Sequence, residues 1–154
     1  MLQIVPSLWF GDNHCEEAVN DYVTIFPNSR ISQMVYYPNE NLSEHFVGMA
    51  GKVITAEFYL NGQKFIGLDG GPIFHFSEAI SFTIECQDQA EIDYYWEKLS
   101  HLPESEQCGW VKDRYGLSWQ IVPNNIAELQ QTDAQIKALM SMKKIIISEL
   151  EAAK

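Results

Sequence analysis

Two stretches of this chain follow the same order of strand, helix and strands, and that repetition limits what the chain can fold into. Val19, Tyr22, Val23 and Phe26 in the first stretch fall on Ile92, Tyr95, Trp96 and Leu99 in the second with identical spacing. Apolar residues at i, i+3, i+4 and i+7 mark one face of an α-helix. The returning strands repeat as well, with Gly62-Gln63-Lys64-Phe65-Ile66 falling on Gly116-Leu117-Ser118-Trp119-Gln120. A unit that cannot bury its own apolar face, present twice, predicts that the two copies pack together.

Local signals fill in each copy. Residues 2–10 read as a strand in which Pro6 marks an edge or a start. Asn13, followed three residues later by Glu16, predicts a capping box for the first helix, and Pro27-Asn28 stops it. Residues 30–37 and 53–60 read as strands. Between them, residues 38–51, with Gly48 and Gly51, form a long connection suited to a lid or pocket loop. Asn61-Gly62 is a type I′ hairpin signal leading to a strand over 63–69. Asp69-Gly70-Gly71-Pro72 breaks the pattern and opens a loop carrying Phe74, His75 and Phe76. The second copy runs from a strand over 80–86 through a helix capped by Asp88 and a loop over 102–107. A hairpin over 108–122 closes it, with Asp113 and Gly116 at the first and last positions of a type I turn.

The tail departs from the repeat. Asn125 with Glu128, and Thr132 with Gln135, both read as capping boxes. Ile136, Leu139, Met140, Ile147 and Leu150 predict a terminal helix with an apolar face, which either covers its own domain or serves as a dimer arm.

Bulk properties narrow the partners. At 154 residues, 46% hydrophobic and 12% aromatic, the chain suits one domain or two small halves sharing a core. A net charge of -11 argues against nucleic acid and anionic membrane surfaces, which are bound through Lys and Arg. No apolar run reaches membrane-spanning length, and no signal peptide is visible at the start. Cys15, Cys86 and Cys108 are odd in number and form no Cys-x-x-Cys, which suits buried thiols in a reducing cytoplasm.

Taken together, Trp9-Phe10, Glu16-Glu17-Ala18, Ile25-Phe26-Pro27, Asn61-Gly62-Gln63, Gly70-Gly71-Pro72, Ile80-Ser81-Phe82, Tyr95-Trp96, Cys108-Gly109-Trp110 and Trp119-Gln120-Ile121-Val122-Pro123 resemble the vicinal oxygen chelate superfamily, which contains glyoxalase I, bleomycin resistance proteins and extradiol dioxygenases. The closer similarity is to PhnB-like proteins, whose family label is 3-demethylubiquinone-9 3-methyltransferase. The resemblance covers all but the terminal helix. It implies an α+β fold of two βαβββ modules forming one curved mixed sheet with a cleft, plus a C-terminal helix. Residues 1–125 would be a single domain, with module one at about 1–72 and module two at about 76–125, and residues 126–154 a helical extension.

The resemblance also implies where a metal would sit, on the first and last strands of each module. Those positions map to Val5 (or Pro6), Ile66, Ala79 and Gln120. Divalent metals need several converging oxygen, nitrogen or thiolate donors, so the expectation is no metal and no cofactor. A methyl donor needs a Gly-rich turn that opens a helix, and Asp69-Gly70-Gly71-Pro72 does not open one. His14, His45, His75 and His101 fall on predicted turns and loops and read as solvated, with His75 the exception if there is one.

Strand alternation extends the mapping. It directs Ser7, Trp9, Glu57, Tyr59, Ser81, Ser118 and Gln120 to the cleft, and Phe74, Phe76 and Trp110 join them as aromatic lining. Glu57 is the one candidate general base. The expectation is a non-metal protein that captures a small organic molecule and pairs as a homodimer. The alternatives are a metal-dependent isomerase or dioxygenase, a methyltransferase as the label states, and an assembly module without a ligand.

Overall fold

The computed structural model describes residues 1–39, 41 and 43–154, the side chain of His45 excepted. It is an α+β protein whose strands form two mixed sheets, of four and three strands. The chain divides into two compact units, Met1–His75 and Phe76–Lys154.

In the first unit, β1 (Ser7–Trp9), α1 (Cys15–Ile25), β2 (Arg30–Tyr36), β3 (Val53–Leu60) and β4 (Gln63–Leu68) follow in order. The sheet order is β1-β4-β3-β2, with β1 parallel to β4 and the other pairs antiparallel. Asn61 and Gly62 both take positive φ, 47° and 85°, as a type I′ turn requires. Leu8, Ala56, Phe58, Leu60 and Phe65 are buried with Ala18, Val19 and Tyr22 of α1. Burying side chains of this size stabilises by about 1.5–3 kcal/mol each. The Phe58 ring stacks between those of Tyr22 and Phe65. Gly67 faces α1 and has no room for a side chain, because a Cβ there would lie 2.9 Å from Cys15 Sγ.

Two readings of this unit change. β1 pairs over only three residues, and Met1, Leu2 and Ile4 are exposed. Pro6 has no N–H to continue the ladder and contributes only its carbonyl, which accepts from Ile66 N–H. Nor is Asn13 the cap of α1. It sits in left-handed backbone at φ 64°, and the N-cap residue is His14, without a side-chain cap bond.

The second unit runs β5 (Ser81–Cys86), α2 (Gln89–Leu99), β6 (Trp110–Lys112), β7 (Ser118–Pro123), α3 (Asp133–Ser141) and α4 (Ile147–Ala152). Its sheet order is β5-β7-β6, with β5 parallel to β7. Where the first unit has β2, this one has the loop around the helical turn Pro103–Ser105. Pro103 cannot donate to a ladder, and among the described residues the second sheet holds three strands. Asp88 caps α2 by accepting from Glu91 N–H at 2.9 Å. Ile92, Tyr95 and Leu99 are buried beneath Val111, Trp119 and Ile121.

The tail is two short helices instead of one. Thr132 and Gln135 form the expected capping box of α3, whereas Asn125 heads only the helical turn Ile126–Leu129 and makes no side-chain cap bond. The helices break at residues 142–146, where the backbone is engaged elsewhere. Met142 and Lys143 carbonyls accept from the Cys108 and Gly109 N–H groups, both at 2.8 Å. The Gln89 side chain donates to Ile145 O and accepts from Ile147 N–H. Leu129, Met142, Ile145 and Leu150 form a core cluster with Val122, so the tail covers part of its own unit. Ile136 and Met140 stay exposed, at 42% and 65%.

Candidate functional site

Each sheet has one face under its helix and one turned away from it. In the first unit the away face reads across the strands in rows. Ser7, Ile66, Glu57 and Gln33 form one row, and Trp9, Leu68, Thr55 and Val35 the next. Tyr59 lies between Lys64 and Arg30. The structure thus brings Ser7, Trp9, Glu57 and Tyr59 onto one surface. In the second unit, Ser81, Ser118 and Lys112 form one row, and Thr83, Gln120 and Trp110 the other.

The chemistry differs between the faces. Glu57 accepts from Lys64 Nζ at 3.1 Å and from Ser32 Oγ at 2.9 Å. The Lys64 hydrogen bond, followed by that of Ser32, holds its carboxyl below the usual value. A carboxylate held low and already partnered is a poor general base. Tyr59 carries the Arg30 guanidinium 4.2 Å over its ring. Glu57 and Tyr59 are therefore bound up in a charge ladder across the sheet. In the second unit Gln120 Nε2 donates to Ser81 Oγ at 2.9 Å. Trp110 beside it is half-buried. Ser118 is fully buried, and its Oγ has no hydrogen-bond partner among the described residues. Lys112 is paired with Glu78.

Trp9 meets a feature that sequence reasoning passed over. Its Nε1–H donates to the Gly71 carbonyl at 2.9 Å, and the exposed Phe74 ring stands edge-on at 5.0 Å. The Gly70 position lies against the six-membered ring of Trp9, so no Cβ fits there. On the other side, Tyr37 Oη–H donates to the Asp69 carbonyl at 2.6 Å. Asp69 itself is buried; its carboxylate accepts from Gly71 N–H at 3.5 Å and faces the backbone N–H groups of Cys15 and Asn13 at the start of α1, which favour its charged form. Burial outweighs these bonds and pushes the Asp69 carboxyl above its ordinary value. The sequence signal was present, an Asp directly before Gly-Gly at a strand end, but the helix it serves lies far away along the chain.

The metal positions do not fit a metal. Val5 and Ile66 are apolar, and Ala79 lies exposed before β5 begins. The strand register also corrects the mapping: Ser7 pairs with Ile66, but Gln120 pairs with Thr83. If Ile66 matches Gln120, Val5 then matches Ser81 and not Ala79. The offset is two residues, which leaves every side chain on its assigned face. Among the described residues, no group of three or more His, Cys, Asp or Glu side chains converges to hold a metal ion. His14, His75 and His101 are exposed, and the expectation for His45 lies outside the described side chains. Burial pushes the thiols of Cys15 and Cys86 up to about 12, so neither is a nucleophile at neutral pH. A methyl donor fits no better. The Gly70-Gly71 turn leads into a loop, and the space at Gly70 is filled by the Trp9 ring.

Fold and site together define a two-unit α+β protein with a strand–helix–strand repeat, aromatic, neutral polar and charge-paired groups on its sheet faces, and no metal-ligand set at the positions the resemblance implies. Residues 2–122 match the family described as 3-demethylubiquinone-9 3-methyltransferase, and the chain belongs to that PhnB-like family. Among solved structures it is similar to the Bacillus cereus PhnB protein, which carries the 3-demethylubiquinone-9 3-methyltransferase designation provisionally. That similarity has 32% identity and a TM-score of 0.64 over 79% of this chain and 99% of the other. A Pseudomonas aeruginosa protein shares the fold, with a TM-score of 0.60 at 18% identity over 80% of this chain and 98% of the other. No curated protein matches. Among the described residues, no helix is long and apolar enough to cross a membrane.

Proposed function

We propose that this chain is a small-molecule-binding protein of the glyoxalase/bleomycin resistance type that captures a small organic ligand without a metal. The observation that carries the reading is the group of side chains on β5, β6 and β7. The Gln120 amide is oriented by Ser81, and Trp110 stands beside it. Ligand sites generally combine apolar walls with few placed polar groups. Trp9 and Phe74 supply an aromatic surface in the first unit, and Ser7 and Phe76 are further candidate contacts. The donor set supports binding over metal-dependent isomerisation or dioxygenation, and a Gly70-Gly71 turn that leads into a loop, with Trp9 against Gly70, speaks against methyl transfer. The buried free thiols favour a cytoplasmic setting.

The test is a thermal-shift screen with small neutral and anionic aromatic compounds, followed by calorimetry. Hits are expected to bind the wild type and to lose at least tenfold in affinity with Gln120→Ala and with Trp110→Ala. Compounds that bind both variants as tightly as the wild type would overturn the second unit's sheet face as a ligand site.

We also propose a two-fold homodimer, the commonest soluble assembly. It is supported by the apolar Ile136 and Met140 left exposed on α3. Deleting the tail would uncover Val122, so light scattering of the Ile136→Glu/Met140→Glu variant is the cleaner measurement. A monomer implicates α3, and an unchanged dimer puts the interface elsewhere.

A further inference from the structure

We infer that Asp69 is a positioning residue for Trp9, setting the orientation of its indole through the Gly70-Gly71 turn and tying that orientation to the start of α1. The inference deepens the ligand-binding reading and rests on it only where Trp9 is taken as a ligand contact; the linkage itself stands on geometry.

The connection runs through a chain of contacts. The Asp69 carboxylate accepts from Gly71 N–H at 3.5 Å and faces the Asn13 and Cys15 N–H groups at the head of α1, which favour its charged form. Gly71, at φ 98°, turns its carbonyl to accept the Trp9 Nε1–H. Gly11 closes the other side, because a Cβ there would fall 2.9 Å from Trp9 Nε1 and closer still to the Gly71 oxygen. Tyr37 Oη–H holds the Asp69 carbonyl. The indole therefore cannot turn without moving the turn, and the turn cannot move without releasing the carboxylate from α1.

A buried carboxylate is an expensive way to cap a helix, since burial disfavours its charged form. A neutral Asn would accept from the same donors at lower cost. A charge kept at such cost supports a role beyond capping. The groups facing Asp69 are His14, whose charge favours the carboxylate, and Cys15 and Tyr37, whose own values are pushed up first by burial and then by the Asp69 charge. Glu16 acts on the neighbouring Cys15.

The experiment follows the four tryptophan indole N–H resonances of the full chain by two-dimensional NMR against pH, with the Trp9 signal assigned by Trp9→Phe. In the wild type the Trp9 signal is expected to shift with an inflection above the ordinary Asp value of about 3.9. In Asp69→Asn that inflection disappears while the Trp119 signal keeps its wild-type position. A second variant, His14→Gln/Glu16→Gln, removes the neighbouring exposed titrating groups and should retain the inflection. It decides the matter if Asp69→Asn does not fold. A flat wild-type Trp9 profile, an unchanged profile in Asp69→Asn, or loss of the inflection in His14→Gln/Glu16→Gln overturns the inference. No ligand is added, so this outcome is separate from the ligand screen.

Discussion

Two buried aspartates, Asp69 and Asp113, each end a strand and each organise a turn, but they draw their partners from different distances. Asp113 accepts from Tyr115 N–H at 2.9 Å, Leu117 N–H at 3.0 Å and Trp119 Nε1–H at 2.9 Å. Its carbonyl also accepts from Gly116 N–H, closing the β6–β7 turn. These partners lie within six residues. Asp69 takes Gly71 from its own turn and faces Asn13 and Cys15, far back along the chain. One aspartate is a local fastening and the other joins segments distant in sequence. The first kind follows from turn chemistry; the second depends on the assembled fold.

The largest effect that tests this contrast is Asp113→Ala. It leaves buried donors unpaired, including an indole N–H, and should destabilise by about 3 kcal/mol or more, read from urea unfolding. Asp69→Ala should cost less, because removing the buried carboxylate also removes its desolvation penalty. Equal losses would erase the distinction. Next come the glycines of the two turns. Gly70→Ala forces a methyl into the Trp9 ring and should cost about 1–3 kcal/mol. Gly116→Ala meets open space at φ 87° and should cost about 1 kcal/mol from backbone strain alone. If the Gly116 change proved the worse of the two, Trp9 would not be packed against Gly70. Thr132→Ala, which removes an ordinary local cap from α3, is expected at about 1 kcal/mol by thermal denaturation.

The smallest effect is in the pH dependence. Asp69 has a raised folded-state value, so the folded chain binds its proton more readily than the unfolded chain does. Its contribution therefore moves in favour of folding as pH falls through that raised value, and the wild type should gain stability relative to Asp69→Asn. Glu57 is held low, so its contribution is present above the unfolded value and is lost as pH falls through the folded one. The wild type should lose its advantage over Glu57→Gln under the same acidification. The same sign for both variants would contradict these assignments.

These residues also mark what was legible. Asn61-Gly62, Asp88, the Thr132–Gln135 box and the Asp113–Gly116 turn all state their structure within a few residues, and the structure has each of them. Strand alternation placed Phe58 and Trp119 under the helices because a period of two survives any even error in register. Reading stopped where tertiary partners decide. The first strand shortened to three residues and the tail broke at residues 142–146, where its backbone bonds to Cys108 and Gly109. The N-cap of α1 is His14 and not Asn13, and the Asp69 carboxylate faces that helix start from the end of β4. On the candidate site, residue types and faces were readable, whereas the engagement of Glu57 by Lys64 and Ser32 was not, since it depends on neighbours in other strands.

The parallel pairing of first and last strands also governs the order in which the chain can fold. Ser7 has no ladder partner until Ile66 exists, and Ser81 none until Ser118 exists. Contacts of such long sequence separation slow folding, because the intervening loop must be closed before they repay the lost entropy. On the ribosome, β1 would emerge early and wait, with Leu8 and Trp9 uncovered, until synthesis has passed Leu68. The β3–β4 hairpin, nucleated by Asn61-Gly62, can form at once and offer β1 its template.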